Sequence, residues 1–512
     1  MTYAAPPTVP NPANVTLTAT SISNKSATAT VTITVGSGPL QSGYYAFAYS
    51  GWQIKRQQKR GFWTDLPFRE VIAGRFYLDG AGNITNGIED VYGYSGSSLS
   101  VPFTGTYTVG TDHTGSFTLK TDGETATYQM TLDASGQKAS YIRWDNAIDN
   151  FPQNGAGYFE LQNTSAFSIA GSYAFGITIN EPGLSVVGRF DVNSTGAIEK
   201  GTADAVDRSS GYEKLLLTGS FGSPSSTTGR GTATFSINPA PGAKHGSLSA
   251  VYYVVSANKL LLVQTDMAGI GEIEKQPRTY STALLNAPVI LQMSGGTWNY
   301  KQAAVVGLLS PDGAGSIGGE VDQNIESTVA LEQTCAGRYT VDSSGRTDMR
   351  LKFGAATNHL IAYLFGDNQA FVIQTTGSES LYGSFKPQTG GPFTAASIGG
   401  VFRGTSPFPI LQFSENGTGV YIFDGSGDFT GLNYTNVWNG KSSETLLQGG
   451  APGSYTLASN GRGTVSTLSL PFAFWAISPD EMVWINTVST RDSLPSLLNF
   501  DRVSGGPTRR PD

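Results

Sequence analysis

One pattern of 17 residues occurs four times, and it limits what this chain can fold into more than any other feature. It reads GRFYLDGAGNITNGIED from Gly74, GRFDVNSTGAIEKGTAD from Gly188, GLLSPDGAGSIGGEVDQ from Gly307 and GVYIFDGSGDFTGLNYT from Gly419. Five positions after the first Gly stands Asp79, Asn193, Asp312 or Asp424. Eight positions after it stands Gly82, Gly196, Gly315 or Gly427, and ten after it an apolar residue. Alternating apolar residues followed by D-G-x-G and a second alternating run predict a β-hairpin, with Asp79, Gly80 and the equivalent Asx and Gly residues forming its tight turn. The opening Gly residues are 114, 119 and 112 residues apart. A second marker, GTYTV at 105, GSFGS at 219, GRYTV at 337 and GSYTL at 453, keeps nearly the same period. A period of that size fits an autonomous domain of ~100–150 residues and is too long for a propeller blade or solenoid unit.

Composition supports an all-β chain. Of 512 residues, 64 are Gly and only 14% are charged, while Ser, Thr, Tyr and Phe are abundant. That mixture suits short strands and tight turns. A net charge of −7 argues against a nucleic-acid partner. The single cysteine, Cys335, excludes an intrachain disulfide. No apolar run is long enough for a transmembrane helix, and the first residues lack the charged and apolar regions of a signal peptide.

Residues 3–35 hold a Pro-rich lead and two alternating strands, NVTLTATS and SATATVTITV. Tyr3–Pro6, Val15–Ser21 and Ser26–Ile33 resemble the C-terminal end of a bacterial immunoglobulin-like domain of large exported surface proteins. The resemblance implies an extracellular or cell-surface location, with an export signal upstream of this chain.

After a linker at 36–42, four repeats are expected at 43–165, 166–292, 293–395 and 396–505, with a disordered tail at 506–512. Repeat one shows eight candidate strands joined by short polar turns. Eight antiparallel strands in a meander suffice to close an up-and-down, lipocalin-like barrel; a β-sandwich remains the alternative. The motifs at Gly43–Phe47, Gly74–Ile84 and Gly105–Val109 resemble tandem Gly-rich β domains of long, mostly uncharacterised exported proteins of environmental bacteria.

Catalytic chemistry is thinly provided for. His113, His245 and His359 share no equivalent position and no metal-ligand spacing, and no nucleophile elbow, zinc motif or phosphate loop appears. Acidic residues recur at Glu89–Asp90, Asp204 and Asp322. With Asp79 and Asn83 they admit a calcium reading, against turn capping and a solvated strand end. The segment at 52–70 breaks the repeat: Trp52, Lys55, Arg56, Lys59, Arg60, Phe62 and Trp63 place cations beside aromatics in a long loop, fitted to an acidic glycan or a partner protein. The remaining tryptophans, Trp144, Trp298, Trp438, Trp475 and Trp484, read as core. The sequence therefore predicts a non-catalytic exported or cell-surface stalk, adhesin or binding array without metal or cofactor. Its alternatives are a small-ligand or carbohydrate-binding barrel and a carbohydrate-active enzyme.

Overall fold

The computed structural model describes residues 14–20, 28–34 and 40–505, apart from short stretches at 60–61, 146–152, 164–166, 180–182, 208–209, 241–245, 298–301, 326–327, 354–355, 378, 410–414, 438–441, 448–452, 467–470 and 489–494. Asn14–Thr20 and Thr28–Thr34 pair as an antiparallel two-stranded sheet. The rest forms four closed eight-stranded antiparallel up-and-down barrels in tandem, so the barrel, not the sandwich, is what the repeats build.

Barrel one runs from Gly43 to Leu161, barrel two from Gly171 to Lys275, barrel three from Val289 to Pro387 and barrel four from Gly400 to Gly505. The strand Val289–Thr297 spans the 292/293 division that the period alone suggests. Barrel four closes by pairing Glu415–Phe423 with Asp428–Val437, whose other edge is met by two short strands in succession, Ser442–Leu447 and Gly453–Leu457. In barrels one to three the corresponding stretch is one long strand, such as Gly96–Val109.

Aromatic and aliphatic side chains line each lumen. Tyr45, Phe47, Tyr49, Phe76, Phe103, Phe117, Tyr128, Tyr141 and Phe159 pack inside barrel one. In barrels one and two the opening Gly of the repeated pattern makes room for this packing: a Cβ at Gly188 would lie 2.5 Å from the Phe175 ring, and one at Gly74 would lie 2.5 Å from Phe47. Only glycine admits so close an approach.

Many strands are buried on both faces. Gly171–Ile179 and Ser247–Ser256 hold runs of buried residues rather than a clean alternation, because the barrels pack on one another. Ala48, Val71 and Ala73 of barrel one meet Val251, Tyr253 and Leu261 of barrel two. Ala174 and Val187 of barrel two meet Ile361 and Ile373 of barrel three. Ile290 and Val306 of barrel three meet Trp475 and Val483 of barrel four. Trp52, Ile142 and Ala156 of barrel one then meet Tyr434 of barrel four. The four barrels thus form a closed ring. Burying apolar area on these outer faces stabilises the ring by roughly 25 cal/mol per Å² removed from water.

Charges from all four barrels gather where they converge. Lys259 reaches Glu160 of barrel one at 3.1 Å and Glu272 of its own barrel at 3.2 Å. Tyr158 donates to Glu272, Lys386 of barrel three pairs with Glu481 of barrel four, and Arg403 pairs with Asp501 at 2.8 Å. Charges withdrawn from bulk water must be matched in this way.

Candidate functional site

The recurring acids lie between barrels. Asp90, Asp204 and Asp322 are fully buried, which corrects the reading of a solvated strand end. Each sits opposite a β-bulge, where the ladder skips from Glu89 to Val91, from Ala203 to Ala205 and from Val321 to Gln323. On the facing strand, Ser100, Lys214 and Glu332 adopt left-handed φ values of 54°, 54° and 55°, and each points its N–H at the carboxylate, at 2.9, 3.0 and 2.9 Å. Both oxygens then receive an arginine from the next barrel. Arg230 donates to Asp90 at 2.7 and 2.8 Å, Arg346 to Asp204 at 2.6 and 2.9 Å, and Arg462 to Asp322 at 2.8 and 3.0 Å. The cross-strand neighbour of each arginine adds a further donor: Tyr253, Tyr363 or Trp475. These carboxylates are saturated, so a calcium ion would have to displace an arginine.

The joint between barrels four and one is built differently. Thr114 and Thr131 face each other where the other barrels pair arginine with an aromatic residue, and Tyr434, opposite Thr418, takes the place of the aspartate. Thr131 hydrogen-bonds Thr418 at 2.7 Å, and Asn436 donates to the Arg143 carbonyl at 2.7 Å. Among the described residues this seam carries no bidentate arginine.

The repeated turns are held by their own side chains. Asp79 Oδ1 accepts from the N–H groups of Ala81 and Asn83, Asn193 from Thr195 and Ala197, Asp312 from Ala314 and Ser316, and Asp424 from Ser426, Gly427 and Asp428. Gly80, Gly82, Gly196, Gly315 and Gly427 hold positive φ. The Asn83 side-chain amide, 2.6 Å from Asp79 Oδ2, together with these N–H groups keeps the Asp79 carboxyl below the usual range, and the N–H groups do the same for Asp312.

The segment at 52–70 is a pair of strands rather than a loop. Gly43–Lys59 and Phe62–Leu78 pair over 17 residues each, whereas the matching hairpin of barrel two has 9 per strand. Trp52 is 3% exposed and packs in the joint between barrels one and four. The side chains of Lys55, Arg56, Lys59, Arg60, Phe62 and Trp63 lie outside the described residues, as do His245, Trp298 and Trp438. His113 occupies a turn with φ 64°. His359 bridges two carboxylates, Nδ1 to Glu213 at 3.1 Å and Nε2 to Asp348 at 2.9 Å. Each ring nitrogen meets a different carboxylate, so the imidazole bridges barrels two and three rather than converging with both acids on one metal. Cys335 is buried in the lumen of barrel three, where burial pushes its thiol up to about 11.

The lumen of barrel one departs from those of barrels two and three. Within barrel one, Glu70 and Glu89 stand where barrel two has Leu184 and Ala203 and barrel three has Ala303 and Val321, all members of those barrels' apolar cores. Arg143 stands where those barrels have Gln264 and Gln374. It is engaged by Asp145 and, at 3.5 Å, by Glu124, and it donates to the Tyr128 hydroxyl at 3.3 Å. Gln53 donates to Glu70 at 2.6 Å. Glu89 is 9% exposed. Burial, reinforced by the neighbouring acids Glu70 and Glu124, pushes Glu89 up to about 8, and burial pushes Glu70 up to about 7. The Tyr49 hydroxyl is buried beside Glu70 and has no hydrogen-bond partner. It is flanked by Gly51 and Gly155, where an added Cβ would lie 2.5 and 2.4 Å from it. A buried acid raised to about 8, beside a part-buried acid raised to about 7 and an unsatisfied hydroxyl, marks a candidate functional site. Nothing in the sequence periodicity separates Glu70 from an ordinary strand residue; the unused signal was the departure of Glu89 and Arg143 from the residues at matching places in the other repeats.

No protein-family model matches this chain, and no curated protein matches it. Among solved structures it is similar to transferrin binding protein B of Haemophilus parasuis Hp5. A double mutant of that protein aligns at 9% identity and a TM-score of 0.19, covering 67% of this chain and 76% of the other. A single mutant aligns at 10% and 0.18, covering 88% and 94%. The intact Ap-TbpB, with N and C lobes, aligns at 12% and 0.16, covering 73% and 86%. Superpositions at these scores carry no weight for what this chain does.

Proposed function

We propose that this chain is a non-catalytic binding protein of the bacterial exterior, in which a rigid ring of four barrels presents barrel one as its ligand-holding unit. The observation that carries this reading is the charged, incompletely satisfied lumen of barrel one, set against the apolar fillings of barrels two and three. The contact of barrel four with barrel one favours a compact platform over a drawn-out stalk. The extended hairpin adds reach: about eight residues per strand beyond its counterpart, at ~3.4 Å per residue, project roughly 27 Å from barrel one. Its cations and aromatics, Lys55, Arg56, Lys59, Arg60, Phe62 and Trp63, suit contact with an acidic glycan or protein surface. Export and surface attachment rest on the likeness of residues 3–35 to an immunoglobulin-like domain end.

The test is native mass spectrometry of the full chain after incubation with a mixed library of cationic, anionic and neutral small molecules. One adduct per chain supports the reading. A bare mass throughout, or four equivalent adducts per chain, contradicts it.

A further inference from the structure

We infer that the lumen of barrel one takes a primary ammonium group, carried by a small ligand or an inserted side chain, with the Glu70 and Glu89 carboxylates and the Tyr49 hydroxyl oxygen as its three acceptors. The inference rests on the reading of barrel one as the ligand-holding unit and specifies its ligand.

The charge count favours a cation. Glu70, Glu89, Glu124 and Asp145 face one guanidinium, that of Arg143. Two of those acids are already spent on it: Asp145 bonds Nε and Glu124 lies 3.5 Å from Nη2. Among the described residues, Glu70 and Glu89 show no ion pair of their own. Glu70 holds only the neutral Gln53 amide. The acceptors come from three consecutive, paired strands, Gly43–Lys59, Phe62–Leu78 and Asn83–Gly93, with Glu70 near enough to act on both Tyr49 and Glu89. An ammonium has three donors and no acceptor, which matches two carboxylates and a phenol oxygen. Tyr49 is the independent sign: a 1% exposed hydroxyl without a partner is costly unless something else completes it. The aromatic floor of Tyr49, Tyr128 and Tyr141 suits the methylene next to the charge and attracts the cation through its ring faces. A hard divalent ion would instead seek six or more oxygens, and Arg143 would oppose its double charge.

Other clefts fit less well. Where barrels two, three and four meet, Glu272, Met293, Tyr382 and Phe408 line a shallow cleft. There Glu272 is already bound to Lys259 and Tyr158.

Binding of a cation must displace the protons that Glu70 and Glu89 hold near neutrality, so affinity rises with pH. The groups facing these acids are Gln53, Tyr49, Tyr128, Glu124, Arg143, Asp145 and Asp90. One displaced proton gives about a tenfold change in affinity per pH unit below the pKa.

The experiment is calorimetric titration of the full chain with butylammonium chloride at pH 6 and pH 8.5, in two buffers of different ionisation enthalpy. Calcium chloride and methyl glucoside serve as the comparison probes. Expected are saturable 1:1 binding of butylammonium, at least tenfold tighter at pH 8.5, with proton release read from the buffer dependence. Tyr49→Phe should weaken binding by about tenfold, and Glu70→Gln with Glu89→Gln should abolish it while the thermal melt stays cooperative. Calcium or the glucoside binding while butylammonium does not would overturn the ammonium assignment and leave barrel one as a binding unit. Silence of all three probes, with a bare native mass, would overturn both. Butylammonium binding that survives the Glu70→Gln, Glu89→Gln pair would place the site elsewhere and overturn the inference.

Discussion

Arg346 of barrel three closes on Asp204 of barrel two with two parallel hydrogen bonds, Nη2 to Oδ1 at 2.6 Å and Nε to Oδ2 at 2.9 Å. The carboxylate has no exposed surface and receives two further donors, the Lys214 N–H and the Tyr363 hydroxyl. A fork of this kind fixes distance and orientation together, and its repetition at Asp90–Arg230 and Asp322–Arg462 gives successive barrels one common joint. A glutamine reinforces it each time: Gln162, Gln276 and Gln388 each donate to two backbone carbonyls of the following barrel.

Replacing one partner should cost far more than replacing both. Arg346→Met leaves Asp204 buried and unpaired, and is expected to lower the unfolding free energy by about 3–5 kcal/mol. Adding Asp204→Leu to it should recover most of that loss. A double-mutant cycle in urea checks this; equal losses for the single and the double variant would deny the clamp its role.

The lumen of barrel one makes stability fall with pH. A carboxyl whose folded pKa lies above its unfolded value holds its proton more tightly when folded. Its contribution is therefore complete below pH ~4.5 and is lost as pH rises through about 8 for Glu89. Glu89→Gln should melt with the parent at pH 4.5 and above it at pH 9, in differential scanning calorimetry. A gap that does not widen between these pH values would mean that Glu89 is not held protonated.

The hairpin turns need no metal. Asp424 satisfies three backbone N–H groups, so Asp424→Ala should cost about 1 kcal/mol, and Asp424→Asn, which keeps the accepting oxygen, much less. EDTA should leave the parent's melting temperature unchanged. A drop with EDTA that calcium restores would revive the ion.

The sequence shows the barrels plainly because their causes are local. The Asx-Gly turns, the Gly beneath the Phe ring and the alternation of inward side chains all act within one hairpin. The joints are harder to see because their partners stand about 140 residues apart. Asp90, Asp204 and Asp322 are visible as a series, but a solvated strand end explains them equally well until Arg230, Arg346 and Arg462 are placed opposite. Those arginines form a series of their own, GRG at 229, GRT at 345 and GRG at 461, spaced by 116 each time. Reading the two series together would have suggested the pairing. The candidate site was less legible still, since it consists of departures from the repeat, such as Glu89 where the equivalents are Ala203 and Val321. The hairpin read as a loop because residues 55–60, KRQQKR, are polar throughout and show none of the apolar alternation that marks a strand.

Ring closure between barrels four and one is the central structural claim, and a single cross-link tests it most directly. Thr131 and Thr418 are 287 residues apart in sequence, yet their hydroxyls are 2.7 Å apart, and the one native cysteine, Cys335, is buried in another barrel. In the variant carrying Thr131→Cys and Thr418→Cys, mild oxidation by glutathione should yield an intramolecular disulfide in nearly every molecule. It would be seen as a loss of two mass units and faster migration without reductant. Two thiols that stay open to alkylation under the same conditions would show that the ring does not close.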